Sequence, residues 1–396
     1  MSVTYPAGFQ AAAVAAGQKS SGAPDLAVVL NTGPKPAAAG VFTPNRFAAA
    51  PVQWSRQLLH SEMSAGDDSS TPKAVVFNAG GANACTGQAG YDDSAATALK
   101  AAECLGLKPT QVLIGSTGLI GKRLNMEGLL AGVAEASAAL TPDGGQAAAE
   151  AIMTTDTHPK TTRMELPGGW RIGGMAKGAG MIAPGMATLL VVLTTDAVTD
   201  NATAQQALAA AAELTFNRID TDGCMSTNDT LVLFASGASG ITPSAAELTT
   251  AVARACFDLA RQCVGDAEGA SHDIAITVKN AATEAGALQV ARAIARSNLF
   301  KCAVFGNDPN WGRILSAAGT VPADIAPYDA TQVDVSINGV TVCKAGGIGE
   351  SRELVDMAAS RLVSVDVDLK AGKQAATIYT NDLTYDYVKE NAEYPT

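Results

Sequence analysis

No Cys-x-x-Cys pair occurs among the seven cysteines, at positions 85, 104, 224, 256, 263, 302 and 343, and their number is odd. Neither a disulfide framework nor a zinc cluster is therefore expected. Cys256 and Cys263, seven apart on a predicted amphipathic helix, suit buried apolar positions better than ligand positions. The three histidines, His60, His158 and His272, are scattered without metal spacing. Basic residues are also in deficit. The 27 Lys and Arg against 38 Asp and Glu leave a formal charge of −11, which argues against a general nucleic-acid or anionic-membrane surface and for a small-molecule partner. No apolar run approaches the ~18 residues of a membrane span. The opening Met1-Ser-Val-Thr-Tyr-Pro has neither the basic nor the apolar segment of a secretory signal, so a cytoplasmic location is the expectation. Internal repeats and long low-complexity linkers are absent too.

What is present is length and apolar content. At 396 residues and 47% hydrophobic, the chain exceeds one ordinary core and can fill two. The N-terminal part alternates short predicted strands (Leu26–Leu30, Ala39–Phe42, Lys73–Phe77) with alanine-rich helices over Ser94–Leu105, Met126–Leu140 and Gln146–Met153. Two longer helices follow, Asn201–Asn217 and Ser244–Ala267, with a strand Leu231–Ala235 between them and another at Ile274–Val278. From about residue 280 the pattern becomes a smaller α+β unit. It comprises a helix over Gly286–Arg296, a strand over Lys301–Phe305, a hairpin about Asn338-Gly339, and strands over Val363–Leu369 and Ala375–Tyr379. Two domains, 1–280 and 281–396, are expected.

The stretch Lys177–Thr195, KGAGMIAPGMATLLVVLTT, organises the rest. Gly178, Gly180 and Gly185 allow positive φ, Pro184 fixes its own φ, and Thr188 opens a β-branched run that reads as a buried strand. Gly178-Ala-Gly180-Met-Ile-Ala183 fits the dinucleotide fingerprint by letter, with Asp200 twenty residues past Gly180. That fingerprint must open a helix at the pyrophosphate, and strand composition follows here. Two readings remain: a plain glycine turn into a strand, or a threonine nucleophile at a loop-to-strand junction. A threonine hydroxyl needs a base within reach. Cleavage of the Ala187-Thr188 bond would give Thr188 a free α-amine, of reference pKa about 7.7–8.0, so that nucleophile and base share one residue.

A second glycine-rich segment, Gly115-Ser-Thr-Gly118-Leu-Ile-Gly-Lys-Arg123, resembles a Walker loop, but Arg123 stands where the magnesium-binding Ser or Thr is required. Nucleotide hydrolysis is excluded on that ground. The Thr117 hydroxyl and Gly118 amide are instead candidates for holding an oxyanion. Asn78 and Asn83 in NAGGANACTG suggest a tight loop of backbone donors. Thr154-Thr-Asp-Thr157 after a helix is ordinarily a capping turn, and Glu268 near a helix C-terminus opposes the macrodipole, so it either faces solvent or serves a task.

Taken together and in order, KGAGMIAPGMATLL, GSTGLIG, NAGGANACTG, IMTTDT, DGCMSTNDT, DAEGAS, NDPNWGR and ENAEYPT resemble the ornithine acetyltransferase / glutamate N-acetyltransferase family of arginine biosynthesis over nearly the whole chain. The resemblance implies an αββα layered sandwich with a smaller C-terminal α/β domain. It also implies self-cleavage between Ala187 and Thr188 into an α-chain of 1–187 and a β-chain from 188, assembled as α2β2. By the same resemblance Thr188 is the acetyl-accepting nucleophile, and Thr117 and Gly118 form the oxyanion hole. Thr154, Lys177, Thr188, Glu268, Asn391 and Thr396 bind substrate. The implied reaction is ping-pong transfer from N2-acetylornithine to glutamate with no metal and no bound cofactor; members that use acetylornithine alone and bifunctional members that also take acetyl-CoA share these motifs, and the bifunctional form is the expectation. A self-processing N-terminal-threonine amidase or aminopeptidase is the alternative, with water as acceptor. A non-enzymatic binding protein on the same fold would need neither the Thr188 hydroxyl nor cleavage.

Overall fold

The structure, a computed structural model, describes residues 2–65, 71–183 and 189–393. The chain divides into two compact units, Met1–Asn217 with Cys224–Asp266, and Arg218–Gly223 with Ala267–Pro395.

Two sheets carry the first unit. One orders β1 (Phe9–Val14), β2 (Leu26–Asn31), β4 (Ala74–Gly81) and β5 (Val112–Leu119), with only the β4–β5 pair parallel. The other orders β3 (Ala37–Phe42), β9 (Thr230–Ala235), β8 (Leu190–Thr195), β7 (Arg171–Lys177) and β6 (Lys160–Glu165), with only β8–β9 parallel. Alternation along the strands sends one set of side chains between the sheets. Val29, Val75, Phe77 and Leu113 there meet Met175, Leu190, Val192, Val232 and Phe234 in one buried cluster. The opposite face of the first sheet, Val28, Val76 and Ile114, packs on Ala98, Ala101 and Ala102 of α2 (Gly87–Leu105) and on Leu129, Val133 and Ala136 of α3 (Met126–Ala138). Helices α5 (Asn201–Leu214) and α6 (Ala245–Gly265) pair with each other, α5 lying on β3 and α6 on β6 and β7. The layers run helix, sheet, sheet, helix, as expected. Short α4 (Gly145–Ala151) packs beside β1 and β2, and α1 (Ala50–Ala65) beside β5.

This layering explains β8, the middle strand of its sheet. Every residue of LVVLTT is buried, because Leu190 and Val192 face the other sheet while Leu193 turns toward α6, whose Leu259 shares the space above Gly174. Each such aliphatic side chain contributes on the order of 1.5–3 kcal/mol through burial. A run with no polar face thus marks a strand covered on both sides.

In the second unit a six-stranded sheet runs β13 (Gly347–Ile348), β12 (Val340–Lys344), β11 (Asp334–Ile337), β14 (Leu362–Asp368), β10 (Asp273–Ala281), β15 (Gln374–Asn381). Helix α7 (Glu284–Ala295) lies on β10 and β15, burying Ala287, Val290 and Ile294 against Ile276, Val278 and Ile378. The Asn338-Gly339 hairpin forms as predicted, both residues at positive φ (48° and 85°), with Ile337 paired to Val340. Two expectations change. The division falls near residue 266, not 280, because β10 hydrogen-bonds to β14 and β15 on either side. Residues 301–305 are helical, the end of α8 (Asn298–Phe305), because Ser297 caps the Phe300 amide and Phe300 and Val304, four apart, share the buried face. The motif NDPNWGR likewise enters a helix, α9 (Trp311–Ala318), capped by Asn310 on the Arg313 amide. The chain closes on α10 (Tyr385–Glu393).

Candidate active site

Strand β5 delivers Thr117 and Gly118. Its parallel pairing with β4 sets Ala79 against Thr117 and Gly80 against Gly118, then breaks into a bulge at Gly81, which leaves part of the ladder open. Gly80 and Gly118 sit at φ 111° and 128°, and a Cβ on Gly118 would come 2.5 Å from the Gly80 carbonyl carbon. Only glycine tolerates both demands. Ser116 Oγ donates to Asn78 Oδ1 at 2.6 Å, and Asn78 Nδ2 donates to the Gly81 carbonyl at 3.0 Å, so the asparagine of NAGG braces the bulge internally. Asn83 turns to Gly90 and Ser94 of α2. Both asparagines thus spend their donors on the protein itself.

Strand β7 ends at Lys177, whose buried Nζ donates to Thr117 Oγ1 at 3.3 Å. The amide of Gly178, the next residue, donates to Asp156 Oδ1 at 2.7 Å. Asp156 Oδ2 accepts the Thr154 amide at 3.0 Å. Asp156 therefore links Thr154 to the end of the lysine strand. Burial pushes the Asp156 carboxyl up, but the Lys177 and Lys160 ammonium groups outweigh it and hold its pKa at about 2. Lys160, wholly buried, reaches Asp156 at 2.6 Å and Asp266 at 2.5 Å. Asp266 also accepts from the Thr157 amide and hydroxyl. Exposed His158 lies 3.4 Å from Asp266 and 3.0 Å from the Thr157 hydroxyl.

The structure thus gathers Thr117, Gly118, Lys177 and Thr154 around one polar centre. In the second unit it joins Glu268 and Asn391, Asn391 Nδ2 donating to Glu268 Oε2 at 3.0 Å. Ala187, Thr188, the Pro184-Gly185 turn and Thr396 lie outside the described residues. In the loop that follows β7, positive φ falls on Met181 (54°). Gly178 continues out of β7 with its amide tethered to Asp156, so the backbone reverses later. Strand β8, not a helix, follows the loop, and Arg123 of the Walker-like segment is spent on Asp93 at 2.7 Å.

Sequence reasoning missed Asp156, Lys160, Asn228, Asp229 and Lys19. Lys19 donates to the Pro24 and Ala151 carbonyls, each at 2.9 Å, and burial lowers its pKa. The i,i+4 spacing of Asp156 and Lys160 in TDTHPK was the available signal, hidden by the capping habit of Thr and Asp. Asn228 and Asp229 carried none, since nothing local distinguishes a buried carboxyl before a strand from a turn.

The αββα layering, with Lys177 brought onto Thr117 beside Gly118 of β5, defines a layered α+β sandwich with a smaller α+β unit. A model of the ArgJ family matches residues 10–396. The arginine biosynthesis bifunctional protein of Bifidobacterium longum is 56% identical over 398 residues, covering 100% of both chains. That of Streptomyces avermitilis is 56% identical over 394 residues, again covering 100% of both. This chain belongs to the ArgJ family of arginine-biosynthesis enzymes. Among solved structures, the ornithine acetyltransferase of Mycobacterium tuberculosis complexed with ornithine is 49% identical, with 48% of this chain and 96% of that chain covered at TM-score 0.44. Among the described residues no helix is long and apolar enough to cross a membrane.

Proposed function

We propose that this ArgJ-family enzyme moves the acetyl group of N2-acetylornithine to glutamate through an acetyl ester on Thr188, and that acetyl-CoA serves as a second donor. Cleavage at Ala187-Thr188 frees the Thr188 α-amine, which takes the hydroxyl proton as the oxygen attacks the acetamide carbonyl. The carbonyl oxygen becomes an oxyanion that the Thr117 hydroxyl and Gly118 amide receive. The C–N bond then breaks, the amine passes the proton to the departing nitrogen, and ornithine leaves. The α-amine of glutamate attacks the ester by the reverse sequence and restores the Thr188 hydroxyl. Neither half-reaction needs a redox partner or a metal. Cleavage into α- and β-chains and their α2β2 assembly, in the cytoplasm, belong to the same reading.

One observation carries the oxyanion assignment. Lys177 Nζ donates to Thr117 Oγ1, so a lone pair of that oxygen is occupied by a cation and its own O–H is left to donate onward. A hydroxyl polarised in this way, next to a glycine amide on a bulge, suits negative charge developing on a carbonyl oxygen. Thr154, Glu268, Asn391 and Thr396 are assigned to substrate recognition. Asn391 can donate or accept, as a site taking both an ammonium and a carboxylate requires, and Glu268 favours the ammonium. The "bifunctional" in the relatives' names supports the second donor.

Intact mass of the purified chain beside Thr188→Ala, followed by transfer assays with each donor, tests the reading. Two fragments breaking at Ala187-Thr188 in the wild type alone, with N-acetylglutamate formed from acetylornithine, are expected. Free acetate in place of acetylglutamate would point to the amidase alternative, and an active Thr188→Ala chain would overturn the nucleophile.

A further inference from the structure

Polar side chains that the proposed reaction leaves unused are concentrated in Ser226-Thr-Asn-Asp229-Thr230, a stretch buried throughout immediately before and at the start of β9. Asp229 is wholly buried, with the Lys177 ammonium near enough to favour its charged form. Its Oδ1 accepts the amide of Leu189 at 3.2 Å, and the Ser226 and Thr43 hydroxyls also act on the carboxyl. Burial pushes its pKa well up, against the Leu189 amide, the Ser226 and Thr43 hydroxyls and the Lys177 ammonium, which favour the carboxylate. The other polar group of Leu189 is also taken, its carbonyl accepting the Thr230 amide at 2.9 Å. Leu189 is thereby fixed at both ends by two consecutive residues of the neighbouring strand. It is the residue covalently joined to Thr188.

Asn228 faces the other half of the site. Its Nδ2 donates to the Ser116 carbonyl at 2.8 Å and to the Ala82 carbonyl at 2.6 Å. Ser116 directly precedes Thr117. Thr227 Oγ1 donates to Asn228 Oδ1 at 2.6 Å and the Asn228 amide donates to Ser226 Oγ at 3.0 Å, so the asparagine cannot rotate without breaking several bonds.

We infer that Asn228-Asp229 is a positioning clamp that sets the spacing between the nucleophile's strand and the oxyanion strand, Asp229 being the residue that fixes Leu189 and so the chain leaving Thr188. This rests on the reading of Thr188 as nucleophile. Such a clamp earns its desolvation cost through geometry. The two sheets pack by apolar side chains, which resist separation but tolerate sliding, whereas hydrogen bonds from one dipeptide to Leu189 and Ser116 do not. A misplacement on the order of 1 Å between reacting groups is worth up to about a hundredfold in rate.

The test compares Asp229→Ala, Asp229→Asn, Asp229→Glu and Thr188→Ala by time-resolved intact mass, by kcat and KM for acetylornithine on the fully cleaved fraction, and by Tm. Positioning predicts that Asp229→Ala slows cleavage and lowers kcat at least about tenfold with KM within about twofold. Asp229→Asn, which keeps an oxygen for the Leu189 amide, recovers most of that loss. Asp229→Glu, which keeps the carboxyl but displaces the acceptor, does not. A merely structural role would lower Tm and yield while leaving kcat of the cleaved fraction unchanged, and that result overturns the proposal. Asn as damaging as Ala also overturns it, since the carboxyl itself would then be needed. If Asp229→Ala fails to fold, the Asn and Glu variants decide: Asn active with Glu impaired supports the clamp, and equal behaviour refutes it. Thr188→Ala separates the two readings. If it still cleaves or transfers, the nucleophile assignment fails whatever the Asp229 series shows.

Discussion

The charge cluster beside the candidate site in the first unit is hidden, whereas a cluster on the sheet of the second unit is displayed. In the first, Lys160 lies at zero exposure between Asp156 and Asp266, and Asp229 is wholly buried with the Lys177 ammonium acting on it through space. In the second, Asp334 at the start of β11 gathers Lys344 at 2.7 Å and Lys370 at 2.9 Å, with Lys344 63% exposed. Both arrangements satisfy the same rule of opposite charge, but they differ in what water can replace. An exposed pair trades one solvated state for another and contributes little. A buried triad has already given up solvation, so its stability depends on keeping every partner. The apolar sandwich could be held by Leu and Val alone, and Asp156, Lys160 and Asp266 add nothing that aliphatic packing could not supply. What they add is position: Asp156 fixes the Thr154 amide and the Gly178 amide on opposite sides of one carboxylate.

The contrast breaks most sharply at Lys160. Replacing it by Met keeps the length of the stem and removes the ammonium, leaving Asp156 and Asp266 facing each other in a buried site. A loss of about 3–5 kcal/mol is expected, read as a lower midpoint in urea unfolding at unchanged slope. Transfer activity should fall with it, because Asp156 would take up a proton or shift and release the Thr154 and Gly178 amides. A double variant, Asp156→Asn with Lys160→Met, should recover part of the stability by removing one orphaned charge. Additive losses would show that the three groups do not act as a unit.

Acid should separate the two regions more gently. The folded-state pKa of Asp156, about 2, lies below its ordinary value of about 3.9. A carboxyl with a depressed pKa binds fewer protons folded than unfolded, so its contribution is complete above about pH 4 and is lost as the pH falls toward 2. About 2–3 kcal/mol is at stake from this group. Urea midpoints measured from pH 5 down to 2 should decline for the wild type and decline less steeply for Asp156→Asn, whose baseline is already lower. Parallel curves for the two proteins would remove Asp156 as the cause.

Why some of this was legible in the sequence and some was not follows from the same contrast. Layers depend on pattern, and pattern is local: LVVLTT reads as a strand covered on both faces, Asn338-Gly339 as a hairpin, and the capped alanine-rich runs as helices, all of which the structure bears out. The segment Lys301–Phe305 misled because four apolar or aromatic residues in five suit a strand as well as a helix, and only the Ser297 cap upstream decides. Thr117 and Gly118 stood out as a strand end with exposed donors and Lys177 through the resemblance, but nothing in their spacing says that residue 177 meets residue 117. Asp156 was visible as a turn-former, which it is, while its second bond to Gly178 spans 22 residues and a sheet edge. Asp229 was invisible because burial of a carboxyl is a property of the finished layers.

The smallest effect belongs to the exposed cluster, and its smallness is informative. Lys344 lies on β12 near the sheet edge and shares Asp334 with Lys370. Replacing Lys344 by Met removes one of two cations from a carboxylate that also accepts the Ala345 amide at 2.7 Å. Lys370 remains, and water fills the vacated place. Tm should move by less than the scatter of repeated scans, and added salt should reduce even that difference, because exposed charges are screened over roughly 10 Å at 0.1 M. A shift comparable to that of Lys160→Met would mean that the edge of this sheet is covered in solution, and that Asp334 belongs with the buried charges of the first unit.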